Sequence, residues 1–311
     1  MFDMPAEAGI WPHDGAHSSI LIHGDFLYVN TGTGVDNSHK VIRTPDAPSL
    51  IVLEKKTGRY VARDHEKIAP NIFHATWSSP ALGKVAGRDV IFFCGGDGIV
   101  RAFEPLAKSS PAGEVAKLKS IWRFDPDPTS PKDDPHLFLN NRQQGPSNIY
   151  GMPVVIGERL IVGGGGDVFW GKNEAWLKCL RTTGEGDITS NAEVWSYPLD
   201  RHTMSTVAVS DGLVFTADTS RHIHCVDAET GKAVWVQNTP GDFWGSPLVA
   251  DGKLFIGSRK GDFWIMAVSR EKKVLAMNDF KKPISATPTA ANGVLYIATM
   301  SQLHAIAAGG K

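Results

Sequence analysis

Four of the chain's eleven histidines, His13, His17, His74 and His202, stand in polar stretches that lead into short apolar runs. Neutral imidazole binds late transition metals and titrates near neutral pH. Several histidines brought to one place would therefore suit metal ligation or acid–base work. The chemistry depends on whether the elements behind them aim the rings at a common point.

Those elements are short. From Met204 to Asn238 four apolar runs, Thr206 to Val209, Leu213 to Ala217, Ile223 to Val226 and Ala233 to Val236, are separated by Asp211-Gly212, Thr219-Ser220-Arg221 and Glu229-Thr230-Gly231. Runs of four or five residues rich in Val, Ile and Phe, punctuated this often, predict a four-stranded antiparallel meander, because helices need longer runs. The unit recurs: from Met204 a turn begins seven residues on at Asp211 and an aromatic follows eleven on at Phe215. Trp244 gives Asp251 and Phe255, Ser285 gives Asn292 and Tyr296, His17 gives Gly24 and Tyr28, and Tyr150 gives Gly157 and Ile161. Trp77 fits with a turn three residues longer. Small residues and usually Pro follow these anchors, as in Trp77 to Pro80 and Trp244 to Pro247, which suits a crowded innermost strand.

A period of roughly 40 residues of four-stranded sheet is the signature of a β-propeller. The expectation is one all-β domain over residues 1–311, with six blades at about 17–63, 77–124, 150–197, 204–238, 244–279 and 285–308. The last blade has three strands in the sequence, and Met1 to Met4 aligns with an outer strand such as Arg123-Phe124-Asp125. Met1 to Met4 is therefore expected to close the ring beside Leu303 to Ala307; the other reading is a portion of a larger propeller whose open edges favour a homo-oligomer.

Lining up the segments that lead into the innermost strands places His13, His17, His74, Trp77, Asn148, His202, Asp242 and Trp244 at one funnel mouth. Asp36 and His39 join them if the long insertion from Thr31 to Pro48 folds over it. Equivalent positions on different blades can lie across a channel wider than one ion bridges, so the expectation is a shared polar, water-filled pocket and no closed metal site. His222 and His224 share a strand face, but His224 and His304 fill the same slot of the third strand, which predicts a structural role. The acidic segment Asp125 to Pro135 lacks the alternation of a calcium loop and reads as a solvated linker. Gly163 to Gly166 leads into Val168-Phe169-Trp170 with no helix start, which argues against a phosphate cradle.

Formal net charge is -1, with Lys and Arg scattered, so nucleic acid and anionic membrane are not expected partners. No apolar run approaches the roughly 18 residues of a membrane helix, and the N-terminus lacks the basic start and apolar middle of a signal peptide. Cys94, Cys179 and Cys225 are far apart and read as small buried hydrophobes.

Val226-Asp227-Ala228-Glu229-Thr230-Gly231, followed by Trp235, resembles the repeat of the pyrroloquinoline-quinone (PQQ)-like propellers, whose third strand ends in such a turn and whose fourth carries a Trp. Leu53 to Arg59, Trp77 to Pro80 and Gly145 to Asn148 extend the resemblance across the chain, to the bacterial PQQ-binding-like β-propeller repeat proteins. It implies a periplasmic or envelope location and one of two functions: a non-catalytic binding scaffold with a protein or small-molecule partner at the mouth and no cofactor, or a PQQ-dependent oxidoreductase using calcium. The dehydrogenases' adjacent cysteines and catalytic carboxylates have no match here, so no catalytic residue carries over and the scaffold is the leading expectation.

Overall fold

A computed structural model describes residues 2–15 and 18–307. The backbone divides into two compact units, one of residues up to 174 with 178–194, the other of 175–177 with 195 onward. Both are built from antiparallel sheets. In the second unit the template meander appears as Ala208–Ser210, Leu213–Ala217, His222–Asp227 and Ala233–Asn238, paired in chain order. Its copy runs Leu248–Ala250, Lys253–Gly257, Asp262–Ala267 and Val274–Asp279. Leu213, Phe215, Cys225, Trp235, Leu254 and Met266 form one buried cluster, each large apolar side chain contributing about 1.5–3 kcal/mol by leaving water.

The repeat's tryptophan and its turn are coupled. Trp235 Nε1 donates to Ser269 O at 2.9 Å and Trp195 Nε1 to Ala228 O at 3.1 Å, so each outer strand is tied to the turn after the following repeat's third strand. In the first unit Trp122 Nε1 does the same to Thr182 O at 2.8 Å. The small residues after the anchors couple innermost strands: Ser205 Oγ donates to Gly245 O at 2.8 Å, and Ser78 Oγ to Gly151 O at 2.9 Å. A Cβ at Gly245 would sit 2.7 Å from Ala286 O, which is why the position is glycine.

The first unit elaborates this plan. One sheet orders Leu21–His23, Phe26–Asn30, Leu50–Glu54 and Tyr60–Arg63, and Ala116–Lys117 adds in parallel to its outer edge. The next runs Ala81–Val85, Arg88–Cys94, Val100–Phe103 and Ser120–Phe124, and Gly186–Asp187 covers that edge, again in parallel. A third is centred on Arg159–Gly166, which pairs with Val154–Ile156 and with Ser147–Asn148. Covering an outer strand removes the free N–H and C=O groups that would template association.

Two local readings are corrected. The last sheet has the three strands Thr289–Ala291, Val294–Ala298 and Leu303–Ala307 among the described residues, and Met4, expected in an outer strand, instead opens a helix; Met1 lies outside the described residues. Met4–Ala8 is a helix because Asp3 caps it through Ala6 N–H at 3.1 Å, Pro5 fits its first turn, and Gly9 ends it at φ 66°. Asp125 to Pro135 is also no solvated linker. Asp127 is buried and accepts from Lys172 Nζ and Ser147 Oγ, both at 2.6 Å, while Lys132 Nζ bonds Asp125 Oδ1 at 3.0 Å. Asp125 and Asp127 are thus answered by lysines, one of them 45 residues away, while Asp133 and Asp134 are exposed.

Candidate functional site

The insertion after Phe26–Asn30 does fold back, and its root is threaded between two other segments of the first unit. His13 N–H donates to Gly32 O, Gly34 N–H to Trp11 O, Val35 N–H to His74 O and Thr76 N–H to Thr33 O. Pro12 and Thr33, and Gly34 and Ala75, form isolated antiparallel bridges. Gly34 is required at this crossing, since a Cβ there would lie 2.5 Å from His74 O. Asp36 then turns the chain: its carboxylate accepts from Ser38 N–H at 2.9 Å and Arg43 Nε at 3.0 Å, and its carbonyl from His39 N–H.

This scaffold brings three imidazoles into contact. His74 Nε2 lies 2.9 Å from His13 Nε2, and one ring nitrogen from each of His13, His39 and His74 falls within 4.8 Å of the others. His13 and His74 are almost wholly buried, at 2% and 3% exposure. Their other nitrogens are fixed: His13 Nδ1 to Val35 O and His74 Nδ1 to Asp167 Oδ2, both at 2.8 Å. Asp167 follows the strand Arg159–Gly166 and caps its own turn, accepting from Phe169 N–H at 2.9 Å and Trp170 N–H at 2.6 Å. The Tyr150 hydroxyl donates to the same Oδ2. Burial opposes ionisation of Asp167, yet the His74 and Tyr150 hydrogen bonds and the His74 ring hold its carboxyl below the usual range. Burial and the Asp167 charge push the Tyr150 phenol far up, so it stays a neutral donor. Burial, followed by the neighbouring His74, lowers His13 and keeps that imidazole neutral.

Aromatic rings wall the cluster. His74 meets Trp77 at 5.2 Å and Phe169 at 5.6 Å edge-on, His39 lies 5.3 Å from Trp170, and Trp77 leans on Tyr150 at 4.9 Å. Within the first unit these three histidines thus pack against one another and against aromatic rings, and the insertion supplies His39 to the contact.

Of the sequence-derived residues, His13, His74, Trp77 and Asn148 belong to the first unit. Asn148 is fully buried in a two-residue strand against Gly165, its side chain toward Tyr150. His17 lies outside the described residues. His202, Asp242 and Trp244 belong to the second unit, where His202 is buried, Asp242 O accepts from Arg259 N–H, and the Arg259 guanidinium covers the Trp244 ring at 3.9 Å. Sequence reasoning missed Asp167, which directly follows the glycine run, and Tyr150, which served there as a repeat anchor. The available signal was an aspartate directly after a second strand, the place Asp218 holds in the template repeat.

That counterpart is a second cluster. His224 Nε2 lies 3.1 Å from Asp218 Oδ2 and its Nδ1 3.1 Å from the Tyr197 hydroxyl, while His222 Nδ1 reaches Asp200 at 3.0 Å. His224 packs edge-on against Tyr197 and His304 against Phe280, each an aromatic from the end of the preceding repeat. The repeated structural slot expected for these histidines is what the packing displays.

A family model described as outer membrane protein assembly factor BamB matches residues 185–273. Among curated proteins no sequence match is found. Similar solved structures include BamB from Moraxella catarrhalis, 14% identical with TM-score 0.62, covering 93% of this chain and 71% of that one. The computationally designed Ika8 protein aligns at 8% identity and TM-score 0.60, over 93% of this chain and 70% of that one. Quinohemoprotein alcohol dehydrogenase from Comamonas testosteroni aligns at 12% identity and TM-score 0.56, over 88% of this chain and 44% of that one. The chain is a PQQ-like β-propeller in fold. Among the described residues no helix is long and apolar enough to cross a membrane.

Proposed function

We propose that the chain is a non-catalytic binding module that engages a protein partner through the insertion of residues 31–48. The observation that carries this is the insertion's construction: its root is bonded to two neighbouring segments and His39 packs on His13 and His74, while Asn37, Ser38, Lys40 and Val41 at its tip stay exposed. An exposed loop on a rigid base is how scaffolds present recognition surfaces. The family description, an outer membrane protein assembly factor, supports an envelope setting and a partner that is itself a protein.

The alternative, a PQQ-dependent oxidoreductase with calcium, needs a flat ring slot with a cation beside it. Against that reading, one side of Trp77 is taken by Tyr150 and Trp244 is covered by Arg259. The three cysteines are free, buried and separate.

A photo-cross-linking residue at Lys40, with a control at Lys253 in the regular repeats, tests the proposal in extracts of the source cells. A discrete adduct at position 40 alone is expected. No adduct there, or an equal one at 253, would overturn it. Saturable sub-micromolar calorimetric binding of the quinone with calcium would replace it with the oxidoreductase reading.

A further inference from the structure

We infer that His13, His39 and His74 form a binding site for a late first-row transition metal ion of the zinc and copper class, which pins the insertion to the segments on either side. The inference rests on the reading of that insertion as the binding face and adds what holds it.

The argument begins with lone pairs. His13 donates its Nδ1 proton to Val35 O and His74 its own to the Asp167 carboxylate, so in each ring Nε2 is the nitrogen left to hold a cation. Those atoms face each other at 2.9 Å, close enough to share a proton or, after a slight parting, a metal ion. A shared proton would serve two nitrogens. The third imidazole decides for a metal: His39 brings a ring nitrogen within 4.8 Å of the pair, and its buried Nδ1 has no hydrogen-bond partner. The arrangement around the rings is that of metal ligands, in which a histidine's outer N–H is held by a carboxylate or a backbone carbonyl. Asp14 Oδ2, 3.6 Å from His13 Nε2 and largely exposed, is placed to supply a fourth donor or to balance charge.

The donor set selects the ion. Three imidazoles suit zinc, copper or nickel and disfavour calcium and magnesium, which take oxygen ligands. Zinc binds nitrogen at about 2.0–2.1 Å, so the facing nitrogens need to part by only a few tenths of an ångström on loading. The aromatic wall of Trp77, Phe169 and Trp170 leaves competing donors out of the cluster. One ion would then join three segments that are 26 and 35 residues apart along the chain, from 13 to 39 and from 39 to 74.

The test uses the full chain without a histidine tag, stripped by chelator and titrated with zinc by calorimetry, with cobalt absorption as a geometric readout. One zinc per chain is expected. His39→Ala, which leaves the buried His13–His74 pair intact, should weaken binding at least about tenfold, and Asp167→Asn about tenfold to hundredfold. No saturable zinc or copper uptake by the parent chain, or His39→Ala binding as tightly as the parent, would overturn the site. Cross-linking at position 40, read on zinc-loaded and zinc-free samples, separates the two proposals. Adducts without metal uptake refute the metal alone, whereas metal uptake without adducts refutes the binding face alone.

Discussion

Asp167 in the first unit and Asp218 in the second stand at the same point of their repeats, directly after the second strand, and are treated differently. Both are buried, and both cap their own turn, Asp218 by accepting from Ser220 and His222 N–H at 2.9 and 3.1 Å. Both carboxylates hold a histidine. In the second unit that histidine, His224, comes from the adjacent strand, and Tyr197 satisfies its remaining nitrogen. In the first unit His74 arrives from 93 residues away, and its remaining nitrogen is aimed at another imidazole. A histidine with both nitrogens satisfied by a carboxylate and a hydroxyl reads as structure. One that leaves a lone pair directed at a second ligand gives up stability for binding, the exchange commonly seen at functional sites.

Asp167→Ala should give the largest effect. It strands His74 and Tyr150 together in a buried site and is expected to cost about 3–5 kcal/mol in urea unfolding. Asp218→Ala strands one ring and should cost about 1–3 kcal/mol. Equal losses would erase the distinction between the two aspartates.

Acid is the next lever. Burial opposes the charge on Asp127, but hydrogen bonds from Lys172 and Ser147 hold its carboxyl below the usual range. A depressed folded value means the stability is fully present above the ordinary carboxylate pKa of about 3.9 and is lost as pH falls through the folded value. The Asp127 contribution to the tryptophan-fluorescence transition of the first unit should therefore appear on acidification below about pH 4. Lys172→Met should move that transition to higher pH; an unmoved transition would assign it to other carboxylates.

The smallest effect is expected from Tyr197→Phe, which uncaps His224 Nδ1 and should cost about 1 kcal/mol in thermal unfolding. If the uncapped His224 then acquired zinc affinity, the tyrosine would be what separates the structural cluster from the ligating one. Absence of zinc uptake would show that the third imidazole of the first unit is the deciding element.

The all-β repeat was legible in the chain because its determinants are local. Turn residues at fixed offsets, small residues after each anchor and the outer-strand tryptophan all act on neighbours within one repeat or the next, so a 40-residue period exposes them. His13 and His74 were legible as candidates for the same reason, by their offset from the anchors. The N-terminal segment was misread because Phe2-Asp3 matches an outer strand by type, while Asp3, Pro5 and Gly9 act together as helix caps. The contact of His13 with His74, the arrival of His39 beside them and the carboxylate of Asp167 on His74 were decided only by tertiary structure. Each depends on how a long insertion and a glycine-rich strand fold back across tens of residues, and no spacing in the sequence encodes a distance across separate sheets.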